Sequence, residues 1–172
     1  MKILALDSSG LVASVAVVEN DTLLAEYTVN YKKTHSQTLL PMLDEISNMT
    51  ELDLSTIDAI AVAGGPGSFT GLRIGSATAK GLGLALEKPL ISIPTTAAIA
   101  YNIWDTNKFV CPIMDARRNQ VYTGVYCYTD HRLDTVWEQD TMSIEALAEG
   151  LNCLDHEVIF LGDGVAVYRE KL

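Results

Sequence analysis

The sequence contains few cysteines and few basic residues. Three cysteines without a Cys-x-x-Cys pair among 172 residues fit neither a disulfide framework nor a zinc motif, so we expect reduced packing residues. Twelve Lys+Arg against 22 Asp+Glu leave a net charge of −10. A chain with this charge offers no positive field to a polyanion, which disfavours nucleic-acid binding by this chain alone.

Long hydrophobic runs and targeting signals are also missing. The apolar run at residues 3–6 is too short for a signal peptide or a membrane span. This predicts a cytoplasmic protein without membrane contact. Hydrophobic residues make up 48% of the chain and charged residues 20%, which is typical of a folded protein. A chain of this length forms one compact domain or two small lobes.

Patterns typical of catalytic sites are not found. The sequence has no Gly-x-Ser-x-Gly elbow, and His35, His131 and His156 are far apart in the sequence. None of them has a second His or Cys at metal-ligand spacing. The sequence therefore predicts neither catalytic residues nor a metal site.

The two halves of the chain carry the same strand pattern. Alternating and apolar runs predict three strands joined by polar turns in each half. These strands are residues 3–6, 12–18 and 22–29, then 109–115, 121–128 and 133–138. One shift along the chain lays Asp7 on Asp115, which favours a duplication over a chance similarity of two meanders. We predict a first lobe over 1–104 and a second over 105–172.

A helix is expected after the first meander. Thr34 and Gln37 have the spacing of a capping box before an apolar stripe that reaches Met49. Pro41 lies inside this stripe, so the helix either begins nearer Leu39 or is kinked.

The second lobe is expected to be shorter than the first. Thr95 or Thr96 could cap a short helix before it. Residues 143–151 predict a capped helix and residues 158–161 a strand. The chain then stops at Leu172, before the remaining elements of a complete copy, so we expect an incomplete second lobe.

A polar turn and a glycine-rich loop are candidates for binding a phosphate. The turn amides and hydroxyls that follow the first strand could hold a phosphate or merely close the turn. The glycine loop joins a predicted strand at 57–63 to a helix that runs to Glu87, but it matches neither a P-loop nor a Rossmann motif. The candidate residues are Asp7, Ser8, Ser9, Gly64, Gly65, Gly67 and Ser68.

Small residues recur at four-residue steps along this second helix, at Gly71, Gly75, Ala79 and Gly83. Each glycine destabilises an exposed helix by about 1 kcal/mol relative to Ala, so a close neighbour must compensate. That neighbour is either the lobe's own sheet or a partner helix, and the spacing alone leaves both open. Arg73 is unfavourable near the helix N-terminus unless it has a partner or an anion.

A specific pattern is carried by DSS at residues 7–9, THSQTLLPML at 34–43, AGGPGSFTGLRIG at 63–75 and DARRNQVY at 115–122. Together these segments resemble the TsaB (YeaZ) family of bacterial tRNA threonylcarbamoyladenosine biosynthesis proteins. The resemblance spans nearly the whole chain. It implies an α/β, actin-like ATPase fold of two duplicated ribonuclease-H-like lobes, the second incomplete here.

The resemblance also implies a function. It implies a non-catalytic paralogue and partner of the ligase subunit TsaD, which joins the ATPase TsaE through the complex and forms a homodimer when alone. That complex makes N6-threonylcarbamoyladenosine at position 37 of tRNA. The resemblance therefore implies that this chain contacts tRNA only as part of the complex. No cofactor is required, and weak ATP or ADP binding is expected in the complex. The alternative is a nucleotide-dependent transferase or kinase, or an M22-type glycoprotease, of the same fold.

The family pairs through two helices of its first lobe, which correspond to residues 37–49 and 70–87. The implied interface residues are Leu39, Leu40, Leu43, Gly71, Arg73, Ile74, Gly75, Thr78 and Ala79.

Overall fold

The predicted N-terminal meander forms part of a five-stranded sheet. The computed structural model describes residues 1–31 and 38–172. Strand β1 pairs antiparallel with β2 and parallel with β4, in the spatial order β3-β2-β1-β4-β5. The strands are β1 (Lys2–Asp7), β2 (Ala13–Glu19), β3 (Thr22–Val29), β4 (Ala59–Gly65) and β5 (Leu90–Pro94).

Two helices accompany the first sheet. Helix α1 (Leu39–Thr50) begins near Leu39, as one alternative predicted, so Pro41 lies in the first turn. Proline is tolerated there, because the first N–H groups of a helix have no intrahelical acceptor and its missing N–H removes no hydrogen bond. The predicted capping box of Thr34 and Gln37 lies outside the described residues. Helix α2 (Phe69–Leu86) follows the glycine loop and has Glu87 as its C-cap, in agreement with the predicted end.

The second sheet has four strands in the order β8-β7-β6-β9. Its strands are β6 (Phe109–Arg117), β7 (Gln120–Thr129), β8 (Arg132–Ser143) and β9 (Val158–Leu161). The remaining helices are α3 (Thr95–Ala100), α4 (Ile144–Asn152) and α5 (Gly164–Tyr168). The hydroxyl oxygen of Ser143 accepts a hydrogen bond from the amide of Ala146 at 3.1 Å, which confirms the predicted cap of α4. No helix in the described part of the chain is long and apolar enough to cross a membrane.

The two sheets share one arrangement. In the first, β1 lies between its antiparallel neighbour β2 and its parallel neighbour β4, and in the second β6 lies in the same way between β7 and β9. A glycine with positive φ ends the parallel strand in each unit, Gly65 at 107° and Gly162 at 103°. This arrangement supports the predicted duplication. Within residues 94–172 the described sheet has four strands, and none of them corresponds to β5.

The chain divides into two compact units, Met1–Ile93 and Pro94–Leu172. The division therefore precedes α3, whereas the sequence placed it at 104/105. The physical reason is the packing of α3, because Ala100 joins a buried cluster with Val110 of β6 and Tyr126 of β7. The hydroxyls of Thr96 and Tyr126 are also hydrogen-bonded at 2.7 Å.

The cysteines differ in their surroundings. Cys111 is buried in the second core, where desolvation raises the pKa of its thiol to about 11. Cys127 is half-buried, and both positions agree with the expected packing role. Cys153 is exposed because it lies just beyond the last turn of α4, so a packing role was wrong for this residue.

Candidate functional site

The polar turn after β1 is closed by its own side chains. Asp7 Oδ1 accepts a hydrogen bond from the amide of Ser9 at 2.7 Å. The Ser8 hydroxyl donates to the carbonyl of Gly71, in the first turn of α2, at 2.8 Å. Ser8 and Ser9 are both buried. These contacts correspond to the turn-closing alternative for the three residues.

The glycine loop packs directly on this turn. The amide of Ser68 donates to the carbonyl of Ser9 at 2.6 Å. A Cβ on Gly67 would collide with the same carbonyl, and a Cβ on Gly64 would collide with the hydroxyl of Ser92. The structure therefore brings the predicted phosphate-binding residues close together. Their polar groups form hydrogen bonds with other groups of the same chain. Nucleotide binding at this corner, which comprises residues 7–9 and 64–68, stays a prediction.

The ridge of small residues on α2 faces the first unit's own sheet. A Cβ on Gly75 would lie 2.5 Å from the Ser8 hydroxyl oxygen, and one on Gly83 would lie 2.8 Å from Leu90 Cδ2. The four ridge residues, Gly71, Gly75, Ala79 and Gly83, are all buried. These positions let α2 lie close to its own strands, as one of the two alternatives for the ridge required. The interface role of Gly71, Gly75 and Ala79 stays a prediction.

The remaining predicted interface residues fall into two groups. Leu39 and Leu43 are buried in the first core, so their side chains are already covered, and their interface role stays a prediction. Ile74 and Thr78 are half-buried, and Ile74 packs against the same core. Leu40 and Arg73 are exposed, as an interface role requires.

The outward sides of α1 and α2 carry large apolar side chains that the sequence reasoning largely missed. Of these, Leu40 and Met49 on α1 are 53% and 77% exposed, and Phe69 and Leu84 on α2 are 70% and 84% exposed. We call these four residues the outer helix face. The two helices contact each other. Helical spacing did not reveal Met49, because it lies three residues after the buried Ile46 and continues the apolar stripe in the sequence, yet it is exposed in the last turn of α1.

Arg73 has the partner that its position requires. Its guanidinium carbon lies 4.3 Å from the ring centroid of Phe69, a cation–π distance. The same aromatic ring belongs to the outer helix face. This contact accounts for a basic residue near the N-terminus of α2 without an anion.

The strand end that duplicates the Asp7 turn repeats its chemistry. Asp115 Oδ1 accepts a hydrogen bond from the amide of Arg117, two residues later, at 2.9 Å. The Tyr168 hydroxyl also donates to Asp115 Oδ1, at 2.9 Å. Burial and the hydrogen bond to this carboxylate raise the pKa of Tyr168. Sequence reasoning missed Tyr168 because α5 lies far from Asp115 in the sequence.

The described histidines have partners within the protein. His131 Nδ1 lies 2.6 Å from Asp105 Oδ2. His156 Nε2 lies 3.1 Å from the carbonyl oxygen of Asn107, and the His156 ring lies 4.2 Å from that of Phe109. Among residues 1–31 and 38–172, no group of three His, Cys, Asp or Glu side chains is placed to hold a metal ion.

Comparison with known proteins gives consistent matches over nearly the whole chain. Residues 22–171 match the family model described as TsaD: tRNA N6-adenosine threonylcarbamoyltransferase. The chain is 34% identical over 172 residues to the tRNA threonylcarbamoyladenosine biosynthesis protein TsaB of Bacillus subtilis (strain 168), covering 100% of this chain and 75% of that protein. It is 33% identical over 170 residues to TsaB of Escherichia coli (strain K12), covering 95% and 72%.

The solved structures agree with the sequence comparisons. An uncharacterized Pseudomonas aeruginosa protein with similarity to peptidase YEAZ superposes with a TM-score of 0.87 at 29% identity. The match covers 99% of this chain and 79% of that chain. The sequence of the chain is therefore similar to those of TsaB proteins, and its fold is similar to that of a YEAZ-like protein.

Proposed function

Because the chain belongs to the TsaB family of tRNA threonylcarbamoyladenosine biosynthesis proteins, we propose that it is a non-catalytic subunit that pairs with the ligase TsaD. Its actin-like ATPase fold with two ribonuclease-H-like units is the predicted one. In this proposal the chain holds TsaD in an active conformation in the cytoplasm. TsaE and tRNA then contact this chain only within the complex with TsaD.

The outer helix face is the observation that carries the proposal. Leu40, Met49, Phe69 and Leu84 are large apolar side chains on two helices that contact each other. The inner sides of both helices are filled by the first core and sheet, so these residues are not needed to cover it. Large apolar side chains exposed on two neighbouring helices are candidates for a protein interaction surface, and pairing would cover them.

The polar groups around the outer helix face also suit an interface. Asp44 and Glu45 are exposed on α1, and Arg73 and Lys80 are exposed on α2. Exposed charges of both signs on the two helices allow complementary charge pairing with a partner.

The likeness to TsaD supports a paired arrangement of helices. The TsaD family model matches residues 22–171, a range that includes both helices. A TsaD subunit built on the same plan would present equivalent helices, and two copies of one plan associate readily about a two-fold axis. A homodimer would use the same surface, so it would compete with the TsaD complex.

The proposal is tested by measuring mass by light scattering, for the chain alone and mixed with TsaD. Leu84→Glu places a charge in the proposed interface and should weaken pairing at least about ten-fold, because an unpaired carboxylate is costly to bury. Leu24→Glu, at an exposed leucine of β3, is the matched control. Pairing that survives Leu84→Glu, or that both variants abolish equally, would contradict the proposal.

The same samples separate this function from the enzyme alternative. Threonylcarbamoylation of tRNA by TsaD and TsaE should require this chain and fall in proportion to lost pairing. ATP turnover by the isolated chain that Asp7→Asn abolishes would instead favour a nucleotide-dependent enzyme. We propose that no cofactor is required at the corner and that ATP binding there is weak, because Ser8 and Ser68 already serve hydrogen bonds within the chain.

A further inference from the structure

The second unit carries an aromatic patch, Tyr101, Trp104 and Tyr128, separate from the outer helix face. Tyr101 and Trp104 are 53% and 62% exposed. Tyr128 lies between them, with ring centroids 6.4 Å from Tyr101 and 5.4 Å from Trp104, both in edge-to-face geometry. Three touching rings form a contiguous surface, unlike scattered single aromatic residues.

Secondary structure and a buried cluster hold two of the patch residues in place. Tyr128 belongs to β7 and packs against the buried cluster of Ala100, Val110 and Tyr126. The amide of Tyr101 donates to the carbonyl of Ala97 in α3 at 3.2 Å. A ligand therefore meets rings that are already positioned, and little side-chain entropy is lost on binding.

A carboxylate lies beside the patch. Asp105 follows Trp104 directly, and its Oδ2 lies 2.6 Å from His131 Nδ1. Burial, Tyr101 and the charge of Asp105 together raise the pKa of Tyr128. The Tyr128 hydroxyl is buried, and within the described ranges it has no hydrogen-bond partner. Asp130 in the adjacent turn is also exposed.

We propose that the aromatic patch and Asp105 form a docking site for a guanidinium or ammonium side chain in a basic segment of a partner protein. Aromatic faces attract cations, and tryptophan does so most strongly. Asp105 has a second carboxylate oxygen beside the one that faces His131, so it can also accept a hydrogen bond from the ligand.

Charge selects this occupant over a nucleic acid. Nucleobases also stack on aromatic rings, but their phosphates would approach a chain of net charge −10. The same charge attracts a basic segment over long range. The site does not depend on the proposed pairing with TsaD, because its residues lie in the second unit and not on α1 or α2.

The test is a titration of the full chain followed by the two tryptophan indole N–H signals, from Trp104 and Trp137. The probe is the peptide acetyl-Gly-Arg-Gly-Arg-Gly-amide, and its control carries uncharged citrulline in place of both arginines. The arginine peptide should shift the Trp104 signal saturably and leave Trp137 unchanged. Tyr101→Leu and Asp105→Asn should each weaken this binding by about two- to five-fold. Tyr31→Leu, at an exposed tyrosine of the first unit, should not.

Several results would overturn the proposal. Equal shifts with the citrulline peptide would show that charge is not recognised, and no Trp104 shift at millimolar peptide would show that the site does not bind. A tetramethylammonium ion that binds as tightly as the peptide would assign the patch to a small cation. An eight-nucleotide single strand that binds more tightly would assign it to nucleic acid. Circular dichroism of each variant checks that a lost signal is not lost folding.

Discussion

At the scale of single residues, the side chain of Ser8 explains why position 75 of α2 is glycine. The Ser8 hydroxyl donates to the carbonyl of Gly71 at 2.8 Å, and this bond holds its oxygen beside α2. A Cβ on Gly75 would lie 2.5 Å from that oxygen but 3.9 Å from Ser8 Cβ. The clash therefore comes from the hydroxyl alone.

A double-mutant cycle tests this contact. Gly75→Ala should destabilise the wild type by about 1–3 kcal/mol, because the extra methyl displaces a buried hydroxyl. In a Ser8→Ala background the same change should be neutral or stabilise by up to about 1 kcal/mol, since alanine favours the helix. Urea unfolding of the four proteins measures the coupling. An equal cost of Gly75→Ala in both backgrounds would contradict the explanation.

The direction of the small-residue ridge shows what single residues in a sequence do not reveal. The pattern predicted a close neighbour for Gly75 and Ala79, and the structure supplies one. It did not show which neighbour, because α2 also has small exposed residues on its other side, Ala77 and Gly81. With small residues on both sides, periodicity does not distinguish the side that faces the sheet from the side that faces outward.

At the scale of elements, two glycines of α2 have opposite surroundings. A Cβ on Gly81 would meet nothing within 4 Å, whereas one on Gly83 would lie 2.8 Å from Leu90 Cδ2 and 3.1 Å from the Lys88 carbonyl oxygen. Only the second glycine is required by packing.

Alanine at these two positions should therefore change stability with opposite signs. Gly81→Ala should stabilise the protein by about 1 kcal/mol, the difference in helix propensity. Gly83→Ala should destabilise it by about 1–3 kcal/mol through crowding. Both are read from urea midpoints at low protein concentration. The same sign at both positions would mean that propensity or packing alone governs α2.

The start of α4 is joined to the chain after α5 by a charged group. Glu145 accepts hydrogen bonds from Lys171 Nζ at 2.8 Å and from Asn119 Nδ2 at 2.6 Å. These bonds, that of Lys171 first, lower the pKa of Glu145 from 4.5 to about 2. A lowered pKa stabilises the folded state above the ordinary pKa, and this stabilisation is lost as pH falls toward 2.

Removing the ammonium group tests this assignment. Lys171→Met should raise the pKa of Glu145 back toward its ordinary value, which an NMR titration of its side-chain carboxyl carbon measures. Lys108→Met, which removes a partner of Glu157, is the control and should leave Glu145 unchanged. Titration of Glu145 at the same pH in all three proteins would rule out Lys171 as the cause.

Among the elements, local patterns were predictable and contacts distant in sequence were not. The strands of both meanders and the cap of α4 by Ser143 follow from nearby residues, and the structure contains them. The predicted cap of α3 by Thr95 or Thr96 was wrong, since Pro94 occupies that position. Thr96 instead bonds to Tyr126, thirty residues later, and that contact also places α3 in the second unit.

At the scale of the whole molecule, the excess of negative charge limits what the chain can bind alone. With a net charge of −10, the isolated chain should not retain tRNA in a mobility-shift experiment at about 0.15 M salt. The same tRNA should be bound when TsaD is added, and TsaD alone is the control. Binding of tRNA by the isolated chain with affinity similar to the mixture would contradict a role through the complex.

The parallel strand pairs also decide the order in which the molecule can be built during synthesis. Ile3 pairs with Ala59, and Phe109 pairs with Val158, about 50 residues later in each case. Each meander can form as soon as it leaves the ribosome, but the parallel neighbour of its first strand has not yet been made. Until translation reaches β4 and later β9, one edge of β1 and then of β6 is open to a neighbouring nascent chain. Slower translation between the paired strands would therefore lengthen the time for which that edge is exposed.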